Sequence, residues 1–167
     1  SLKGPDERIR IPGFYDAVHP PTPRDLELMG ALPDMAESFR KDYGVTGFLR
    51  GMKGGLELNV AQVFEPTCTI CGLDSGYQGA GSKTVLPARA TAKVDFRMVP
   101  DQIPAEIVKL LRQHLDAEGF ADVAINVMGG EAAGRTDPDH PFLKLVAESA
   151  APVYGVPMQI VPMIGGS

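Results

Sequence analysis

The sequence RATAKVDFRM, residues 89–98, alternates strictly between polar and apolar side chains. Its apolar positions are Ala90, Ala92, Val94, Phe96 and Met98. A period of two is typical of a β-strand that turns one face to the protein core and the other to solvent. Pro100 follows, and we expect it to end the strand because proline cannot donate a backbone hydrogen bond to a sheet. The pattern therefore predicts one half-buried strand of an antiparallel sheet.

The neighbouring sequence predicts further strands and several helices around this strand. The other strands are expected at residues 56–60, 67–73 and 123–127, with a last extended stretch at 158–161. Apolar residues spaced by three and four, with proline or glycine at the ends, predict helices at residues 23–31, 34–43, 104–118 and 141–154. Thr22 is expected to cap the first helix, with Asp25 near its positive end. This mixture predicts an α+β fold, in which an antiparallel sheet carries helices on one face.

Prolines and glycines suggest three parts along the chain. Residues 1–55 are predicted to form a helical insertion rich in these two residue types. Residues 56–133 are predicted to form the core of sheet and helix. Residues 134–167 are predicted to form a connecting helix and strand, and they end in the sequence Gly-Gly-Ser.

Composition excludes several classes of protein. The 167 residues carry 16 Lys and Arg against 21 Asp and Glu, which gives a net charge of −5. An acidic chain without a basic block argues against nucleic acid or an anionic membrane as the main partner. The chain holds two cysteines, too few for a secreted disulfide scaffold. Its first residues lack the apolar centre of a signal peptide, and no apolar run is long enough to span a bilayer. We therefore expect a cytoplasmic protein.

Three motifs that could carry chemistry have simpler interpretations. Cys68 and Cys71 form a single C-x-x-C pair on a predicted strand, where residues three apart point to opposite faces, so we expect two small buried hydrophobes. His114 and Asp116 diverge by about 200° on a predicted helix, which does not suit a shared metal ion. Residues 76–84, GYQGAGSKT, lack the spacing and the following helix of a phosphate-binding loop. The sequence therefore predicts no metal, catalytic or nucleotide site in this chain, and it predicts a mobile functional loop at 76–84.

Arg97 is the strongest candidate for a binding residue. It lies on the polar face of the predicted strand at residues 89–98, close to the end of that strand. Its guanidinium offers a rigid pair of donors that suits a carboxylate. The alternative is a weak surface ion pair with Asp95, two residues away on the same face. The spacing alone leaves both interpretations open.

Several segments closely resemble one protein family. These are GSKTVLPARA at 81–90, FRMVPDQ at 96–102 and EGF at 118–120. They are similar to the lid, or dimerisation, domain of the carnosinase, carboxypeptidase G and acetylornithine deacetylase family of dinuclear zinc hydrolases. IPGFYD at 11–16 resembles an insertion of the dipeptidase branch. Residues 141–155 and 165–167 resemble the return of the chain into a catalytic domain.

The resemblance implies a ferredoxin-like lid with a four-stranded sheet, and it implies roles for three residues. Thr84 and Arg97 match residues that bind the C-terminal carboxylate of the substrate, and Ser167 matches a serine that contacts the substrate. The two zinc ions and the catalytic residues of the family belong to its catalytic domain, so this chain is expected to bind no cofactor. We therefore expect an incomplete piece of a larger dipeptidase, inactive by itself. Its partners would be a small peptide or N-acyl amino acid and a second lid in a homodimer.

Two other interpretations remain open. The chain could be a stand-alone ferredoxin-like ligand-binding module without a parent enzyme. It could also be a purely structural dimerisation module, in which Arg97 has no role in substrate binding. The three hypotheses differ in whether the surrounding protein carries metal-binding motifs and in whether Arg97 affects substrate affinity.

Overall fold

A computed structural model describes residues 1–164. Within this range the chain forms five α-helices, one short 3-10 helix and two β-strands. The elements in chain order are α1 (Pro23–Gly30), α2 (Ala36–Tyr43), the 3-10 helix (Leu49–Gly51), α3 (Gly55–Phe64), β1 (Thr67–Ser75), β2 (Ala90–Arg97), α4 (Pro104–Ala117) and α5 (Pro141–Tyr154). Not one of these helices has both the length and the apolar character that crossing a membrane requires.

The strand predicted at residues 89–98 is confirmed as β2, and the one predicted at 67–73 is confirmed as β1. The two strands pair antiparallel, with Thr67 opposite Arg97 at one end and Ser75 opposite Ala90 at the other. The register shifts between Ile70 and Gly72, so Cys71 is the extra residue of a β-bulge. Val94 and Phe96 are half-buried, while the residues between and beside them are exposed. The alternation of the sequence therefore identifies the core-facing side correctly at Val94 and Phe96, whereas Ala90 and Ala92 on the same predicted face are exposed.

The two cysteines of β1 differ in exposure. Cys68 is buried, Cys71 is exposed, and both are free thiols. Burial raises the pKa of the Cys68 thiol, because desolvation disfavours the thiolate. The prediction of a buried small hydrophobe is therefore confirmed for Cys68 and wrong for Cys71.

The prediction of a four-stranded sheet is not supported, because residues 1–164 contain a two-stranded sheet. No strand forms at 123–127 or 158–161 within this part of the chain. The backbone at Val123 is held by α4 instead, since the Arg112 guanidinium donates to its carbonyl at 2.5 Å. An alternating apolar pattern identifies a strand only where a second strand is available to pair with it.

The strand predicted at 56–60 is also wrong, because these residues belong to α3. The alternation is only five residues long and stops at Val60, where the adjacent apolar pairs Val60-Ala61 and Val63-Phe64 begin. The ten residues of α3 are long enough for a helix, and a short alternating segment is ambiguous between the two structures. Leu58 packs with Ala36 and Met52 in a small helical core.

A second core forms between the sheet, α4 and the first residues of the chain. Its buried members are Ile9, Ile11, Phe14, Cys68 and Ile107. Gln102 is buried and joins the two sides of this core, because its amide donates to the Phe14 carbonyl at 2.8 Å and accepts from the Val99 amide at 3.0 Å. A buried polar side chain with both ends satisfied fixes the position of the segments that it connects.

The predicted helix ends agree with the structure in three places. Thr22 and Asp25 form a reciprocal capping box at the start of α1. His140 caps α5, because its Nδ1 accepts from the Phe142 amide at 3.2 Å. Gly155 follows α5 in the left-handed conformation, with φ of 71°, which glycine adopts without steric cost. Local sequence therefore determines these helix boundaries.

Asp34 joins the starts of α2 and α3 and is expected to make stability depend on pH. Its carboxylate accepts from the backbone amides of Gly55 and Ala36, and these hydrogen bonds hold the pKa of Asp34 below 3.8. A carboxylate with a lowered folded pKa stabilises the protein above its unfolded pKa, and the stabilisation is lost as the pH falls through the folded value. We expect Asp34→Asn to make the urea midpoint less sensitive to pH in this acidic range.

Matched urea titrations at about pH 6 and about pH 3 measure this effect. Asp122 is exposed, and Asp122→Asn serves as the control that leaves the pH dependence unchanged. An equal pH dependence in Asp34→Asn and in the unmodified chain would contradict the assignment.

Candidate functional site

Arg97 lies at the end of β2, at the rim of a cavity of about 410 Å³. Its side chain is exposed. Among residues 1–164 no carboxylate lies within ion-pair distance of its guanidinium, so the alternative pair with Asp95 does not form there. An unpaired guanidinium can donate two parallel hydrogen bonds to a carboxylate, and it breaks no ion pair to another described residue when it does so.

We refer to this space as the Arg97 cavity. Its apolar walls include Met29, Met35, Phe39, Val63 and Met163. These residues come from α1, the start of α2, α2 itself, α3 and the segment after α5. Met29 is 1% exposed, so it forms a closed inner wall. The cavity therefore combines a cationic rim with an apolar interior, an arrangement typical of small-molecule sites.

Two uncharged polar side chains also line the Arg97 cavity. Asn59 is 5% exposed, and its amide donates to the Pro33 carbonyl at 3.4 Å, which connects α3 to the α1–α2 loop. Gln62 lies one helical turn further along α3 and is exposed. The hydrogen bond of Asn59 holds the loop in place and brings no charge into the cavity.

Thr84 lies at the other end of the two-stranded sheet from Arg97. It belongs to the exposed connection at residues 76–89, and the side chain of its neighbour Val85 lies beside Gly76, which directly follows β1. Arg97 lies seven residues along β2 from Ala90, the residue paired with Ser75. At about 3.3 Å per strand residue the two sites are roughly 15 Å or more apart. The structure therefore does not bring Thr84 and Arg97 together in one chain.

Ser167, the third predicted site residue, lies outside the described residues. Ile164, near the end of the described chain, lines the Arg97 cavity. The segment that leads to the Gly-Gly-Ser sequence therefore contributes to the same cavity as Arg97.

A network of charged side chains near α1 was not predicted from the sequence. Asp25 is fully buried, and its carboxylate pairs with the Arg135 guanidinium and accepts from the Thr22 amide at 2.8 Å. Arg24 pairs with Asp139 at 3.1 Å. These two pairs, which we call the α1 ion-pair network, fix α1 to the segment that precedes α5. The capping role of Asp25 was visible in the sequence, but a partner 110 residues away leaves no local pattern.

The α1 ion-pair network borders a second cavity, of about 590 Å³. His19 and Asp101 also lie there, 3.5 Å apart. Because both arginines that line this cavity are already paired with carboxylates of the chain, it offers less free positive charge to a ligand than the Arg97 cavity does. Among residues 1–164 there is no group of three His, Cys, Asp or Glu side chains that could hold a metal ion.

Comparisons with a family model and with curated proteins both identify peptidases as similar to this chain. The family model of the peptidase dimerisation domain matches residues 17–123. The beta-Ala-His dipeptidase of Rattus norvegicus is 29% identical over 135 residues, which cover 78% of this chain and 27% of the rat protein. The Cys-Gly metallodipeptidase DUG1 of Candida albicans is 32% identical over 111 residues, which cover 66% of this chain and 22% of the yeast protein.

Similarity to solved structures extends over almost the whole chain. The M20 family metallo-carboxypeptidase Sso-CP2 from Sulfolobus solfataricus superimposes with a TM-score of 0.91 at 36% identity, and the match covers 99% of this chain and 37% of that protein. The chain spans about a quarter of the length of the curated relatives it matches. The similarity is therefore to one part of larger metallopeptidases.

Proposed function

The chain belongs to the peptidase dimerisation domain family of the M20 metallopeptidases, and from this premise we propose that it is the lid of a longer enzyme that hydrolyses dipeptides or related amide bonds. The names of its relatives, a beta-Ala-His dipeptidase and a Cys-Gly metallodipeptidase, favour dipeptides as substrates. The lid positions the substrate and excludes water, while the catalytic groups lie elsewhere in the longer protein.

The observation that carries this proposal is the position of Arg97. A guanidinium at the rim of a cavity, without an ion-pair partner among residues 1–164, suits the free carboxylate that distinguishes a chain end from an internal peptide bond. An enzyme that binds this carboxylate discriminates strongly against an amidated substrate, because the charged group of the enzyme is then left without its partner.

Thr84 takes part in the same site only if it comes from a second chain. Its position, roughly 15 Å or more from Arg97 along the hairpin, prevents both residues of one chain from holding one carboxylate. The family is one of dimerisation domains. We therefore propose a homodimer in which Thr84 of one protomer completes the Arg97 site of its partner. Ser167 is proposed as a further substrate contact.

Metal dependence is a property of the family, and residues 1–164 of this chain do not fit a metal centre. The described residues lack a cluster of three potential ligands. The zinc ions proposed for the longer enzyme are therefore expected to be bound by residues outside this part of the protein. The lid acts on the substrate through Arg97 and the cavity beside it, and none of its side chains is assigned a role in the chemical step.

Hydrolysis assays on the longer enzyme and on the 167-residue chain test the proposal. We expect the longer enzyme to cleave beta-Ala-His or Cys-Gly, to cleave the matched C-terminal amide at least about tenfold more slowly, and to lose activity with a chelator. The chain alone is expected to cleave neither peptide. Chelator-sensitive cleavage by the chain alone would contradict its role as a lid, and equal rates for the free and amidated peptides would contradict carboxylate recognition.

A further inference from the structure

We propose that the Arg97 cavity is the subsite for the C-terminal side chain of the substrate and that it selects large apolar side chains, of the size of leucine, methionine or phenylalanine. This inference rests on the proposed function. If Arg97 binds the C-terminal carboxylate of the substrate, the side chain of that same substrate residue lies next to Arg97. The subsite adds a preference among dipeptides, which carboxylate recognition alone does not supply.

The lining of the cavity determines this preference. Arg97 is the one charged side chain among the described residues that line it, and the others are apolar or, at Asn59 and Gln62, uncharged. When the guanidinium holds the α-carboxylate, an apolar side chain meets methionine, phenylalanine and valine. A basic side chain meets no counter-charge there and is repelled by Arg97. The expected order is therefore apolar, then acidic, then basic.

Methionine supplies much of the wall and makes the cavity adaptable. Met29, Met35 and Met163 line it, and Met35 and Met163 are not fully buried. The unbranched thioether side chain adjusts its rotamers to fill irregular space, so it packs against side chains of different shape. A volume of about 410 Å³ lies within the range of small-molecule sites and leaves room for a large side chain. Both features favour a range of large apolar residues over a single one.

The second cavity is a poorer candidate for the same role. Its arginines, Arg24 and Arg135, are both engaged with carboxylates of this chain. Binding a substrate carboxylate there would require one of these pairs to break, and the pair of Arg135 involves the fully buried Asp25. Charge complementarity therefore places the substrate in the Arg97 cavity.

Kinetics with dipeptides that differ in the last residue test the inference on the longer enzyme. We expect kcat/KM for Gly-Leu to exceed that for Gly-Gly by roughly tenfold or more, and Gly-Lys to fall below Gly-Gly. Met35→Lys places a cation in the wall and should lower the ratio of Gly-Leu to Gly-Asp rates by about tenfold. Gln62→Lys changes a second exposed lining residue and should lower the same ratio.

Leu26→Lys is the matched control. Leu26 and Met35 are each 38% exposed, but Leu26 does not line the Arg97 cavity. The control should leave the ratio unchanged. A ratio that neither Met35→Lys nor Gln62→Lys alters, in an enzyme that still distinguishes free from amidated peptides, would overturn the subsite and leave the proposed function intact. An enzyme that cleaves no dipeptide would overturn both.

Discussion

Replacing Arg97 with alanine is expected to lower kcat/KM of the longer enzyme by about 30- to 150-fold for dipeptides with a free carboxylate. Hydrogen bonds between a charged donor and a charged acceptor contribute about 2–3 kcal/mol, and each 1.4 kcal/mol is about tenfold in affinity. The guanidinium of Arg97 forms no ion pair with another described residue. The substitution therefore removes the proposed contact with the substrate and breaks no ion pair among these residues. We expect most of the effect in KM, because the proposed contact forms in the bound substrate before the reaction. Michaelis–Menten kinetics on free and amidated peptides measure it.

Arg89→Ala is the matched control for this substitution. Arg89 is exposed and directly precedes β2, whereas Arg97 ends the same strand. The control should leave both kinetic constants within about twofold, as for surface substitutions away from a site. An Arg97→Ala enzyme with an unchanged KM for free dipeptides would contradict the assignment of the carboxylate site.

Mixed dimers extend the same experiment to Thr84. If one site combines Arg97 of one protomer with Thr84 of its partner, an Arg97→Ala protomer paired with a Thr84→Ala protomer retains one intact site. A statistical mixture of the two variants should then recover about a quarter of the unmodified activity, since half of the dimers are mixed and each has one intact site of two. The absence of any recovery in verified mixed dimers would contradict a shared site.

Replacing Arg135 with alanine is expected to destabilise the chain by about 3–5 kcal/mol, the usual cost of leaving a buried charge without its partner. Asp25 is fully buried and would keep only its hydrogen bonds within the capping box of α1. The Arg135 guanidinium also lies 5.8 Å from the centre of the Phe64 ring, so the substitution removes that contact as well. Urea unfolding of the chain measures the loss.

Two comparisons separate the charge effect from other causes. Lys109→Ala removes an exposed pair with Glu106 and should cost less than about 1 kcal/mol. The double substitution Arg135→Met with Asp25→Asn removes both charges and keeps a capping side chain, so it should cost less than Arg135→Ala alone. Equal losses in the single and double variants would show that packing, rather than an unpaired carboxylate, determines the effect.

The parts of the fold that local sequence determines were predicted correctly. β2 was visible because its alternation extends over ten residues, and the start of α1 and both ends of α5 were visible because Thr22, Pro141 and Gly155 act on their immediate neighbours. The size of the sheet was predicted wrongly, because pairing depends on partners distant in the chain. The helix α3 was predicted as a strand, because five alternating residues are too few to distinguish a strand from part of a helix.

The candidate site also combines a feature that local sequence indicates with features that depend on distant segments of the chain. Arg97 was identified from its place on a strand, but its cavity is built by segments as distant as α1 and the chain after α5, and no short window of sequence contains both. The pair of Asp25 and Arg135 was not found for the same reason. The proposed roles of Thr84 and Ser167 came from the family resemblance alone, and they remain predictions.

The length of the hairpin formed by β1 and β2 determines the distance between Arg97 and Thr84 within one chain. Each strand residue adds about 3.3 Å, and successive side chains alternate between the faces. Extending both strands by two residues would move the connection at 76–89 by about 6.6 Å and keep Cys68 and Phe96 directed into the core. A one-residue extension would instead invert the faces beyond the insertion. Under the proposed shared site, lengthening both strands by two residues is therefore expected to require a matching shift of the subunits in the dimer.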